Sequence, residues 1–346
     1  MRTRDPAKET PVSEQRPPGT RFSDTHGREV RYLRVSVTDR CNLRCLYCRG
    51  GMETFIPHSR ILRYEELERL IDLITTHGVE KVRLTGGEPF ARKGFTDFLL
   101  DLRARHPALD IRITTNGTLA LPHIDALRRA GVNAVNLSLD TLDRATYERI
   151  TGRDLFAKTR DCLDALLEAR IPLKINAVAL RGVNDHELPA FVELAATHPV
   201  DVRFIEFMPV GEGSRWRPER FWPASEILAD LSRLAALRPV QNTARSAGPA
   251  RMYALAGGLG RIGLITPLSH HFCGVCNRLR ITSDGRLRTC LFADREYRLR
   301  AILRHPRLGP DVALRVIERA ARRKPLGADI LNEQGSVRRR MIAIGG

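Results

Sequence analysis

The chain is poor in aromatic residues, which make up 6% of it, and poor in lysine, which supplies only six of its 57 basic residues. It also has no apolar run near the eighteen or so residues that a membrane span requires. Few aromatics leave little for the stacking platforms that single-strand nucleic-acid binders use. The formal charge of +17 rests on arginine. It fits a small polyanion, such as a nucleotide triphosphate, as well as it fits nucleic acid. The N-terminus lacks the apolar segment of a secretory signal, and Asp5, Glu9 and Glu14 argue against a mitochondrial presequence. The expectation is a cytoplasmic protein with neither membrane nor nucleic acid as a partner. Seven cysteines, an odd number with tight spacings, favour metal ligation over disulfides.

A length of 346 residues suggests one large domain with a smaller appendage. Residues 1–21 hold four prolines, many charges and no aromatic, which predicts a disordered leader. From residue 22 a strand and helix rhythm sets in. Apolar or β-branched runs fall at 31–38, 81–85, 111–115, 133–139, 172–179 and 201–207, with helical periodicity at 63–77, 94–105, 120–130, 157–169 and 186–197. This predicts an α/β fold, a parallel sheet in a partial (β/α)6 TIM-type barrel over residues 22–240. A C-terminal extension follows at 241–346. Its nine arginines between 295 and 323 read as a solvated helix face.

Five of the six strands alternate, although a buried parallel strand should be apolar on both faces. Leu33, Val35 and Val37 oppose Arg34, Ser36 and Thr38. Val82 and Leu84 oppose Lys81, Arg83 and Thr85, and Ile111 and Ile113 oppose Arg112 and Thr114. Likewise Val135, Leu137 and Leu139 oppose Asn136, Ser138 and Asp140, while Leu173 and Ile175 oppose Lys174 and Asn176. The apolar faces should carry the helices. The polar faces must then line a wet or liganded interior, because unpaired polar groups in a dry barrel cost several kcal/mol each. Arg34, Arg83, Thr114 and Lys174 thus point to one interior, where cations that meet no carboxylate call for an anion. The sixth strand breaks the pattern, with Glu206 and Met208 in phase with Val202 and Phe204, so that a bulge stays open.

Cys41, Cys45 and Cys48 follow the first strand, at the end where parallel barrels keep their sites. Three thiolates can hold three irons of a 4Fe-4S cube and leave the fourth iron open. An open iron can take the amino and carboxylate groups of S-adenosylmethionine and cleave it reductively. Thr85-Gly86-Gly87-Glu88-Pro89 follows the second strand, where glycines let a ligand approach the backbone. Cys273, Cys276 and Cys290 again offer three thiolates. They suit either a second open cube or a zinc ribbon completed by His270, His271 or a remote residue. Cys162 reads as a buried thiol, and the terminal Gly345-Gly346 as a frayed tail.

The run LRVSVTDRCNLRCLYC, Leu33 to Cys48, resembles the radical S-adenosylmethionine superfamily. Within it the chain is similar, from about residue 22 onward, to the GTP 3',8-cyclase family of molybdenum cofactor synthesis. The resemblance implies two 4Fe-4S clusters, with Tyr47, Gly87, Ser138 and Met208 contacting S-adenosylmethionine. It assigns Arg34, Arg83, Thr114, Lys174, Arg278, Leu279 and Arg280 to GTP, with Leu279 acting through its backbone. It also implies abstraction of the ribose 3' hydrogen of GTP by a deoxyadenosyl radical, attack on guanine C8, and a tail that enters the active site. The partners implied are an electron donor of flavodoxin or ferredoxin type, the downstream cyclic pyranopterin monophosphate synthase, and a second copy of the chain. Arg49-Gly50 and the segment 325–334 depart from the family pattern. A peptide-maturing radical enzyme and a non-enzymatic zinc or electron-transfer module are the competing readings. The first usually carries more cysteines in its extension; the second must explain why both groups stop at three.

Overall fold

A computed structural model of the chain describes residues 21–48, 55–211, 214–241, 248–334, 337, 339 and 341–345. The expected leader and the Arg49-Gly50 departure therefore lie outside the described residues, Arg21 apart.

The six expected strands form where the pattern predicts them: β1 (Tyr32–Ser36), β2 (Lys81–Thr85), β3 (Asp110–Thr115), β4 (Ala134–Ser138), β5 (Leu173–Ala179) and β6 (Val200–Glu206). They lie side by side in that order, all parallel. The crossovers contain α1 (Tyr64–Thr75), α2 (Phe95–Arg105), α3 (Ile124–Arg129), α4 (Arg144–Thr151), α5 (Phe156–Glu168) and α6 (Leu188–Thr197). The 120–130 periodicity resolves into a 3-10 turn at Leu121–His123, forced by Pro122, and the short α3. α4 escaped the periodicity. It exists because Asp143 caps it through Thr146 N at 2.7 Å, and Gly152 ends it at φ 67°.

The chain after residue 236 extends the sheet at both edges. β7 (Leu237–Val240), β8 (Arg251–Leu255) and β9 (Arg261–Ile265) join beyond β6; β10 (Arg278–Ile281), β11 (Arg286–Arg288) and β12 (Tyr297–Arg298) join beyond β1. β9 is parallel to β6 and β10 to β1, so the central sheet has eight parallel strands where the rhythm predicted six. The β/α rhythm could not show them, because β9 is reached through the β8–β9 hairpin and β10 through the 266–277 loop rather than through helical crossovers.

The core lies where alternation places it. Leu33, Val35, Val82, Leu84, Ile111, Ile113, Val135 and Ile175 pack against Leu67, Leu70, Leu99, Leu102, Leu163 and Leu166 of the helices. Burying each such side chain contributes about 1.5–3 kcal/mol. The β6 register runs unbroken against β5 and β9, without a bulge. Among the described residues no helix is long and apolar enough to cross a membrane.

Candidate active site

Parallel register brings the polar faces together in rows across the sheet. Arg280 of β10, Arg34 of β1, Arg83 of β2 and Arg112 of β3 stand in one row of Cα partners. Arg278, Tyr32, Lys81 and Asp110 form the next row toward the strand starts. Neighbouring parallel strands lie only about 4.8 Å apart, so this is a concentrated block of positive charge. Two of its members have counter-ions: Arg112 donates to Asp110 at 2.8 Å, and Lys81 lies 3.4 Å from the same carboxylate. Arg83 and Lys81 also sit over the Tyr32 ring, 5.7 and 5.5 Å from its centre.

The strain of this crowding is visible in the proton affinities. Burial, and then neighbouring cations, lower Arg34 to about 10, and burial with Arg83 beside it lowers Arg203 to about 9. Arg280 is pushed down further by burial, Arg34 and Arg278. Burial would raise the Tyr32 phenol, but Arg83, Arg34 and Arg278 outweigh it and hold it low. Guanidinium groups do not give up their protons in proteins, so these lowered affinities measure an unmet need for negative charge. The Nε atoms of Arg83 and Arg203, Thr114 Oγ1 and Asn176 Oδ1 are buried without a hydrogen-bond partner. Polar atoms orphaned in this way are the mark of a ligand site.

One cavity of about 230 Å³, partly open to solvent, collects these groups. Arg34, Arg83, Thr114, Asn176, Arg203, Arg278 and Arg280 line it, with Tyr47, Ser138, Asp140 and Met208 and with Cys273, Cys276 and Cys290; Cys41, Cys45 and Cys48 are not among its lining residues. Lys174 is not among the lining residues. It lies on the expected face, but its ammonium meets Asp201 of β6, which Arg261 also holds at 2.7 Å. The premise that Lys174 lacks a carboxylate is therefore corrected: the sequence could not show that Asp201 stands beside it in register. Leu279 turns its side chain into the core, leaving only its backbone toward the cavity side.

The N-terminal cysteines sit on the loop beyond β1. The amide of Leu43 and Asn116 Nδ2 approach Cys41 Sγ at 3.4 and 3.6 Å, and Cys48 N closes a turn on Cys45 O at 3.0 Å. Burial, Asp140 and the two neighbouring thiols push the Cys45 thiol well up, so the three sulfurs share one low-dielectric spot. Tyr47 Oη donates to Asp140 at 2.6 Å, and Val178 N donates to the same carboxylate at 2.8 Å. Burial lifts Asp140 to about 6.

Gly87 does not line the cavity. A Cβ there would fall 2.2 Å from the Arg40 carbonyl oxygen, so only glycine lets the strand-end turn pass under the cysteine loop. Glu88 ties that turn to β3 by accepting from Asn116 N and Thr115 Oγ1, both at 2.7 Å.

The C-terminal cysteines lie at the other end of the barrel, around the start of β10. A Cβ on Gly327 would lie 2.6 Å from Cys290 Sγ and 3.8 Å from Cys273 Sγ, so both sulfurs flank one spot. Burial would raise Cys276, yet Arg278 and Lys324 pull it to about 6, which makes a ready thiolate. Among the described residues no three His, Cys, Asp or Glu side chains close tightly enough to grip a single metal ion. A cubane spreads its ligands over separate irons. Its three-thiolate donor set fits both places.

Sequence reasoning missed Tyr32, Arg203, Phe272, Arg28 and Lys324, all of which line the cavity. Tyr32 lies two residues before Arg34 and was findable by parity. Arg203 was findable once β6 is read from Asp201, Arg203 and Ile205 rather than from its end. Gly345 does reach the barrel: Arg280 Nη1 donates to its carbonyl at 3.0 Å. Gly346 lies outside the described residues.

Comparison with known families agrees with this geometry. The Radical SAM superfamily model matches residues 35–195, and the Molybdenum Cofactor Synthesis C model matches residues 200–330. A GTP 3',8-cyclase of Syntrophomonas wolfei is 42% identical over 328 residues, 93% of this chain and 99% of that protein. One of Desulforamulus reducens is 42% identical over 87% of this chain and 93% of its own length. The Streptococcus suis SuiB structure with bound S-adenosylmethionine shares the fold at a TM-score of 0.57 and 16% identity, covering 91% of this chain and 77% of that one. The chain belongs to the GTP 3',8-cyclase family of the radical S-adenosylmethionine superfamily.

Proposed function

We propose that this chain is a lyase that converts GTP to 3',8-cyclo-7,8-dihydro-GTP, the first step of molybdenum cofactor synthesis. The observation that carries the reading is one cavity lined by arginines with orphaned donors, by Tyr47 of the N-terminal cysteine loop and by Cys273, Cys276 and Cys290. When bound, the N-terminal 4Fe-4S cluster and S-adenosylmethionine supply an electron and a 5'-deoxyadenosyl radical.

The protein's own groups bind, orient and exclude water. Arg34, Arg83, Arg203, Arg278 and Arg280 hold the triphosphate, with Thr114 and Asn176 offering hydrogen bonds beside it. Charge-assisted bonds of this kind contribute about 1.5–3 kcal/mol each. Leu279 acts through its backbone, and Lys174 serves at the edge of the anion site while sharing Asp201. Cys41, Cys45 and Cys48 would hold the first cluster, and Cys273, Cys276 and Cys290 the second, whose open iron would supply a site for the guanine base. Tyr47, Gly87, Ser138 and Met208 seat S-adenosylmethionine, Gly87 by keeping the loop close enough. The Asp140 carboxylate fixes the Tyr47 ring against it. Holding one ribose hydrogen in reach of the radical is the positional part of catalysis.

The division into a barrel at 22–240 and an extension at 241–346 is part of this reading. So are a cytoplasmic setting, a flavodoxin- or ferredoxin-type electron donor, a downstream synthase that consumes the product, and a homodimer. Exposed Arg44, Arg153 and Arg215, near the first cysteine loop, suit an acidic donor. The test is anaerobic incubation with dithionite, S-adenosylmethionine and each nucleoside triphosphate in turn. Formation of 5'-deoxyadenosine and a pterin precursor with GTP alone is the expected result; neither product with GTP refutes the assignment.

A further inference from the structure

Two buried cations from opposite ends of the chain meet behind the second group of cysteines. Lys324 is buried, with no carboxylate partner among the described residues. Its Nζ donates to the carbonyls of Thr289 at 2.6 Å and Arg278 at 2.9 Å, one residue before Cys290 and two after Cys276. Arg28 is also buried. Its Nη1 donates to the Cys273 carbonyl at 2.6 Å, and its Nη2 to the carbonyls of Lys324 at 2.7 Å and Pro325 at 3.2 Å. Asp24 accepts from Arg28 Nε at 2.5 Å and fixes its direction. Each cysteine-bearing segment is therefore held by a cation on a backbone carbonyl, and Arg28 links the two cations.

We infer that Arg28 and Lys324 form a positioning clamp that sets the spacing of Cys273, Cys276 and Cys290 for the second 4Fe-4S cluster, with Lys324 as its counter-charge. The inference rests on the proposed function's assignment of a cluster to these thiols. Two separate segments, the turn carrying Cys273 and Cys276 and the loop carrying Cys290, must present sulfur within a few tenths of an ångström of one another's required places. Carbonyl bonds to two rigidly buried cations hold backbone rather than side chain, which suits that task. Two of the three Lys324 ammonium protons have carbonyl partners in the structure, on residues that flank Cys276 and Cys290. A positive charge and a donor beside a cluster raise its reduction potential.

The test uses the full chain, reconstituted anaerobically, as K324M, R28Q and the milder R28K. Wild type should hold about eight irons, in two signals that S-adenosylmethionine and GTP perturb separately. K324M and R28Q are expected to keep the signal that S-adenosylmethionine perturbs and to fall to about four irons. If K324M retains some second cluster, its midpoint potential should lie below the wild-type value. R28K keeps the charge but cannot reach all three carbonyls, so a weakened GTP-sensitive signal supports the clamp even where a harsher variant does not fold. Variants with about eight irons, an unchanged potential and an unchanged GTP-sensitive signal overturn it. A wild type with zinc or only about four irons would instead sink the proposed function.

Discussion

Replacing Arg203 by methionine, which keeps its length and removes its charge, should make the empty protein more stable and the nucleotide complex weaker. In the folded chain the proton affinity of the guanidinium falls by more than three powers of ten, to a pKa of about 9, first through burial and then through Arg83. Each tenfold loss of proton affinity corresponds to about 1.36 kcal/mol, so the strain is on the order of 5 kcal/mol. Against this, the variant loses the hydrogen bond to Asn136 Oδ1 and leaves that acceptor buried, at a cost of about 1–3 kcal/mol. The balance favours the variant by roughly 2–4 kcal/mol, a rise of several degrees in melting temperature. A base whose folded pKa is lowered destabilises the fold at every pH below that value. Because the guanidinium keeps its proton throughout, the gain should be flat between pH 6 and 8. Binding moves the other way. Loss of one charge-assisted bond to phosphate costs about 1.5–3 kcal/mol, or roughly 10–150-fold in GTP affinity. Calorimetric melting of the nucleotide-free protein and anaerobic GTP titration read the two effects. A lower melting temperature together with wild-type GTP affinity would refute the idea that the arginine rows are strained for want of an anion.

Gly87→Ala should disturb the first cluster without touching the second, since its Cβ would press on the Arg40 carbonyl at 2.2 Å. Iron analysis should show a loss toward about four irons, with the GTP-sensitive signal kept. Burial raises Glu88 to about 7, so the folded chain keeps a proton that the unfolded chain gives up near the usual 4.5. This group's contribution to stability is fully present below pH 4.5 and erodes as pH climbs to about 7. Glu88→Gln should abolish that slope, measured as melting temperature from pH 5 to 8. It should also lose about 1–3 kcal/mol throughout, because an amide N–H2 replaces an acceptor facing backbone donors. Deleting the last two residues removes the carbonyl that Arg280 binds and should reduce cyclised product while leaving about eight irons in place.

Much of this architecture was legible because two simple periodicities carry it. Alternation fixed which faces of β1 to β5 turn inward, and so put Arg34, Arg83, Thr114 and Asn136 on the cavity side. Cysteine spacing located both thiol groups. What stayed hidden was long-range register. Nothing near Lys174 in sequence announces Asp201, 27 residues away, as its partner. Nothing near Cys273 announces Arg28, which is 245 residues distant. β9 and β10 were missed because neither is reached through a crossover helix that would mark it as parallel. β6 misled because Glu206, a charged residue in phase with the apolar Val202 and Phe204, is satisfied there by accepting from Ala224 N and the amides of Leu268 and Ser269.

The sheet's two flanks have a consequence for how the polypeptide matures. β1 is made early but acquires its second neighbour only when residues 278–281 have been synthesised, and β6 waits for residues 261–265. Until then the growing chain carries two open strand edges, each a template for unwanted pairing. A fragment ending at residue 240 would keep those edges permanently. It should come out of solution as oligomers or aggregate, and co-expression with residues 241–346 should rescue it.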